Sequence, residues 1–135
     1  LGICFGHQII AQALGGKVEK FSGGWSVGLK EYKWGNERLK LNAWHQDQVV
    51  KKPKKAKVLA ENSFCKYAAL SYGDTILTTQ PHPEFTNEVI KSLIETRGKG
   101  RVPEHLLDEA LNNIEKKISL NEIVTKFSSV LNGDL

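Results

Sequence analysis

Leu1-Gly2-Ile3-Cys4-Phe5-Gly6-His7-Gln8 runs directly into the apolar stretch Ile9 to Leu14 and stops at Gly15-Gly16. The first residues have the G-x-nucleophile-x-G form of a sharp strand-to-helix turn, in which glycines two residues either side of Cys4 let neighbouring chain approach. Gly6 to Leu14 then reads as a helix closed by the glycine pair. Ile9, Ile10, Ala13 and Leu14 leave it little polar face, so it is expected to be buried. A strand, a strained turn carrying a thiol, and a helix together make the start of an α/β unit.

The chain downstream fits that class. Lys17 to Trp44 reads as strands, with Gly28–Trp34 and Leu39–Trp44 joined by a hairpin at Gly35-Asn36. Three further short strands are expected at Lys57–Ala60, Tyr67–Tyr72 and Thr75–Thr79, the last two joined through Gly73-Asp74. After Pro81-His82-Pro83 the period turns helical. Thr86 caps a helix ending at Gly98, a second runs from Pro103 to Ile118, and Ser119-Leu-Asn-Glu122 opens a third as a capping box. Residues 1–97 are read as one domain portion and 98–135 as a helical C-terminal extension.

Composition narrows the class of function. The 135 residues are 40% hydrophobic and 25% charged, with 19 Lys+Arg against 15 Asp+Glu. No apolar run approaches the ~18 residues of a membrane span. A net charge of +4 with few arginines argues against a nucleic-acid partner. Lys51 to Lys57 is read as a solvated loop. Two cysteines make no disulfide framework, which favours a reducing, cytoplasmic setting. The His, Cys, Asp and Glu spacings match no metal motif, so neither metal nor cofactor is expected.

Chemistry is expected at two motifs. The helix end and its amides aim at Cys4, which should lower the thiol pKa, and the Phe5 N–H is placed to hold an oxyanion. A cysteine nucleophile needs a base, and the base needs an orienter. His82 and Glu84 in Pro81-His82-Pro83-Glu84 supply both: a carboxylate two residues on can fix the imidazole tautomer.

GICFGHQ followed by QPHPEF, with Gly15-Gly16 and Trp44-His45-Gln46-Asp47 between, resembles the class I glutamine amidotransferases, and within them the stand-alone GMP-synthetase-like branch. The resemblance implies a three-layer α/β fold with a mainly parallel sheet. It also implies hydrolysis of glutamine to glutamate and ammonia through a Cys4 thioester. In it Cys4 is the nucleophile, His82 the base and acid, Glu84 the orienter, and Gln8 and His45 lie at the bound glutamine. An ammonia-accepting synthetase domain or subunit is the implied partner. At Pro81 the family more often has an aromatic residue or glycine. The family's N-terminal strands and its second oxyanion donor would lie before Leu1, so the chain is expected to be the C-terminal part of a longer protein, inactive alone. Two other readings remain: a γ-glutamyl peptide hydrolase using the same three residues, and a non-catalytic partner module of the same fold.

Overall fold

The two turns that the glycines demand organise the strands. In the computed structural model, which describes residues 1–134, Gly35 at φ 58° closes the hairpin between β3 (Ser26–Trp34) and β4 (Glu37–His45). Their antiparallel register pairs Trp34 with Glu37 and runs unbroken to Ser26 opposite His45. The second hairpin joins β7 (Ala69–Tyr72) to β8 (Ile76–Thr79). With β1 (Gly2–Ile3) and β6 (Lys57–Glu61) these strands form one sheet in the order β1-β8-β7-β6-β3-β4. A separate antiparallel pair is made by β2 (Lys17–Lys20) and β5 (Asp47–Lys51).

The α/β class is as expected, but the sheet is mixed. Among the described residues its parallel pairing is that of β1 with β8, and its other pairings are antiparallel. A parallel pair needs a crossover of a dozen or more residues, usually helical, and no helix lies between α1 (Phe5–Ala13) and β8 to provide one.

Alternation along β7 and β8 divides the interior into two layers. Ala69 and Leu77 face a core with Tyr32, Leu39, Leu41 and, from α4 (Leu120–Leu131), Ile123 and Val130. Their neighbours Leu70 and Ile76 face the opposite way, into a cluster reached by Ile10 of α1. A third cluster gathers Val27 with Ile90 of α2 (Asn87–Leu93), Ile94 of the π-helical turn Ile94–Gly98, and Leu107 and Ala110 of α3 (Glu104–Asn112). The α3 contact is close: a Cβ on Gly28, at φ 82°, would stand 2.6 Å from Ala110 Cβ.

Several local expectations are met and others are not. Thr86 Oγ1 does cap α2, accepting from Val89 N at 3.2 Å. Ser119 makes no capping box, because its hydroxyl accepts from Lys40 N at 3.0 Å and its N–H donates to Lys40 O, tying α4 to β4. α3 ends at Asn112, six residues short of Ile118, and Asn113 turns its amide back onto Glu109 O. Lys51, read as the start of a loop, closes β5. α1 is only half covered: His7 and Ala11 are buried, whereas Phe5, Ile9 and Leu14 are exposed. Among the described residues no helix is long and apolar enough to cross a membrane.

Candidate active site

Cys4 and His82 sit at the carboxyl ends of the two parallel strands. Gly2 pairs with Thr78 and Ile3 with Thr79, and Cys4 N continues the ladder to Thr79 O at 2.8 Å. Cys4 is the one non-glycine residue with positive φ among the described residues, at φ 49° and ψ −100°. Such geometry costs on the order of 1–3 kcal/mol and persists only where the surroundings impose it. Here they do: the chain turns from β1 straight into α1, whose first bond is Gln8 N to Cys4 O at 3.0 Å. A Cβ on Gly2 would meet Gly6 C and Ile10 Cδ1 at 2.9 Å each, so glycine is needed where the helix crosses its own strand. Gly6 faces open space.

The expectation of a lowered thiol pKa is overturned. Burial pushes the Cys4 thiol up to about 11. The Phe5 N–H and the Gln80 amide pull it down, but the carboxylates of Glu84 and Asp47 oppose them. Desolvation outweighs one amide and a helix end, and the resting sulfur is a thiol.

His82 and Glu84 are in contact, with Nδ1 2.6 Å from Glu84 Oε1. A carboxylate oxygen only accepts here, so Nδ1 carries the hydrogen, and in the neutral ring it is Nε2 that presents the lone pair. The ring lies flat on Phe85, centroids 3.8 Å apart and planes 2° from parallel. Cys4 Sγ accepts from Gln80 Nε2 at 3.5 Å rather than from His82. Pro81 leaves no gap in the backbone bonding: Gln80 N donates to Ala68 O, His82 N to Asn42 O, and Thr79 Oγ1 to Pro81 O.

Gln8 and His45 line the depression beside Cys4, about 310 Å³ in volume, together with Trp25, Trp44, Gln46 and Asp47. Gln8 Nε2 donates to Asp47 O at 2.8 Å and to Gln80 Oε1 at 3.2 Å. His45 Nδ1 lies 3.2 Å from the same Asp47 carbonyl and must donate to it, which leaves Nε2 a buried acceptor with no partner. Burial lowers the His45 pKa to about 4, so the ring is neutral at pH 7. Phe5 contributes its N–H to the sulfur while its ring is exposed. No group of three or more His, Cys, Asp or Glu that could hold a metal ion occurs among the described residues.

Two positioning residues carry no sequence signal strong enough to single them out. Gln80, fully buried, links Gln8 to the sulfur. Asn42, also buried, accepts from His82 N through its carbonyl and donates from its side chain to Phe85 O and Asn87 Oδ1, holding both ends of the His82 turn. For Gln80 the available hint is its place directly before Pro81. Asn42 offers none, since on an alternating strand it reads as a solvent-facing residue.

Comparison with known proteins shows the family of the chain. The family model described as "Glutamine amidotransferase class-I" matches residues 1–97. Gamma-glutamyl peptidase 2 of Arabidopsis thaliana is 33% identical over 86% of this chain and 52% of its own length. A glutamine-hydrolyzing GMP synthase subunit of Methanocaldococcus jannaschii is 32% identical over 73% of this chain and 60% of its own. A glutamine amido transferase structure from Methylobacillus flagellatus superposes on 97% of this chain and 62% of its own with a TM-score of 0.75 at 18% identity, a likeness of fold. The chain spans about half the length of the first of these relatives. With the family model covering well over half of the sequence, the chain belongs to the class I glutamine amidotransferase family.

Proposed function

We propose that Cys4, His82 and Glu84 hydrolyse the γ-glutamyl C–N bond of glutamine, releasing glutamate and ammonia. The observation that carries this reading is the pairing of a positive-φ cysteine with a carboxylate-oriented histidine on adjacent parallel strands. A thiol with a pKa of about 11 does not attack unaided, so proton removal by His82 Nε2 accompanies formation of the Sγ–C bond. Glu84 stabilises the imidazolium so formed, and the Phe5 N–H faces the developing oxyanion. The C–N bond then breaks as the imidazolium gives its proton to the leaving nitrogen. Water, deprotonated by the same ring, cleaves the thioester and the proton returns to sulfur.

Gln8 and His45 are assigned to the glutamine side. Nε2 of His45 is an unpartnered acceptor, suited to the substrate α-ammonium. A synthetase partner is assigned as the acceptor of the ammonia, a reading supported by similarity to an archaeal protein named as one subunit of a glutamine-hydrolyzing synthase. A second reading keeps every step and replaces ammonia by the amine of a peptide. It is supported by the similarity to a γ-glutamyl peptidase.

The test is to incubate the complete protein with 6-diazo-5-oxo-norleucine and locate the label by peptide mass spectrometry. Labelling at Cys4, blocked by excess glutamine and absent in Cys4→Ala along with turnover, is the expected result. Glutamine hydrolysis that survives Cys4→Ala would overturn the assignment.

A further inference from the structure

A second and larger hollow adjoins the Cys4 depression. Its volume is about 680 Å³, and the two share Trp25 and Gln46 as wall residues. That is within the ~300–1,000 Å³ of small-molecule sites. The shared wall sets it directly beside the depression that Cys4 lines. Release of ammonia requires none of it.

The charges on its wall are unequally satisfied. Lys30 is paired with Glu109 at 3.3 Å, and Glu31 with Arg38 at 3.0 Å, so each of these cancels locally. Arg101 has no carboxylate partner among the described residues. Its backbone is held in a tight turn, with N bonded to Gly98 O at 3.1 Å. The exposed Arg101 thus brings to the wall of the hollow a guanidinium with no carboxylate of its own, a planar fork of donors whose geometric complement is a carboxylate. Phe64, set edge-on against Phe21 at 4.9 Å, adds an apolar wall beside Trp25.

We infer that this hollow is a leaving-group subsite, and that it takes an amino acid or short peptide by its free α-carboxylate at Arg101. The inference rests on the γ-glutamyl chemistry proposed for Cys4. The γ-glutamyl half occupies the smaller depression. The C–N bond breaks beside Cys4, where His82 protonates the departing nitrogen, and the rest of the departing amine extends past Trp25 and Gln46 into the larger hollow.

The test compares glutamine, γ-glutamyl-alanyl-glycine and the C-terminal amide of that tripeptide as substrates of the complete protein. The wild type is expected to prefer the free acid over the amide by about tenfold or more in kcat/KM, chiefly through KM, as loss of a charge-assisted contact implies. Arg101→Gln should bring that ratio close to one, and Arg101→Lys should restore part of it. Equal use of acid and amide by the wild type, or a ratio unmoved by Arg101→Gln, would overturn the inference. So would hydrolysis of glutamine with neither peptide cleaved, which leaves the Cys4 chemistry standing. If no substrate is turned over and Cys4 takes no label, the γ-glutamyl reading falls and this one with it.

Discussion

The Cys4 thiol offers the sharpest quantitative test, through the carboxylate that also holds His82. Burial is the largest influence on the sulfur, and Glu84 adds to it while the Phe5 and Gln80 N–H groups work the other way. A pKa of about 11 against an ordinary 9.0 leaves about one thiolate in ten thousand at pH 7, instead of about one in a hundred. Glu84→Gln removes a repelling charge, so the thiol pKa must fall and alkylation at fixed pH must quicken. The same change deprives His82 Nδ1 of its anionic acceptor, so turnover should drop by roughly 10²–10⁴-fold. Iodoacetamide rates read by peptide-resolved mass spectrometry between about pH 6 and pH 11 give the titration. Cys65, 2% exposed and pushed up to about 12, reacts separately and far more slowly. A Cys4 midpoint at or below the ordinary value, or alkylation slowed by Glu84→Gln, would refute the account of what governs this sulfur.

Three further outcomes follow from the fold. Gly28→Ala should destabilise by about 2–4 kcal/mol in urea unfolding, combining a clash with Ala110 and a positive φ. Asn42→Leu should lower kcat more than it raises the KM for glutamine, because it frees the His82 turn without touching the depression; equal effects on both would count against it. His7 and His45 are both held by burial at a pKa of about 4, so the unfolded chain binds protons first as pH falls below 6.5. Stability present above pH 6.5 is then lost towards pH 4, by up to about 3 kcal/mol per histidine. Thermal scans should show Tm falling from pH 7 to pH 5, and a smaller fall in His45→Gln.

Much of the architecture is written locally. Gly35-Asn36 and Gly73-Asp74 fix two hairpins because few other residues accept those turns, and Gly2 marks the elbow because a side chain there would strike the helix that follows. Thr86 caps α2 because its acceptor lies three residues from its donor. What escapes the sequence depends on distant partners. Ser119 has a capping-box sequence, yet Lys40, far away in the chain, claims its hydroxyl. β5 exists because β2 pairs with it, and nothing within Asp47 to Lys51 announces that. The Cys4 pKa departs from expectation because a motif shows the helix end but not the depth of burial or the carboxylates of Asp47 and Glu84. Gln80 and Asn42 act through bonds spanning tens of residues.

The amide chain from Gln8 through Gln80 to Cys4 has a direction. Each link donates toward the sulfur, Gln8 to Gln80 and Gln80 to Cys4, while Gln8 is anchored behind by a second bond to the Asp47 carbonyl. A carboxamide is polar end for end, so half a turn about its last bond exchanges NH₂ for oxygen. Gln80 can face the sulfur with hydrogens only while its own oxygen has Gln8 to receive. A ligand that drew Gln8 away would remove the reason for that orientation, and a reversed Gln80 would repel a thiolate rather than hold it. The sign of the dipole beside the Cys4 sulfur is thus set two side chains away, at a residue that lines the depression.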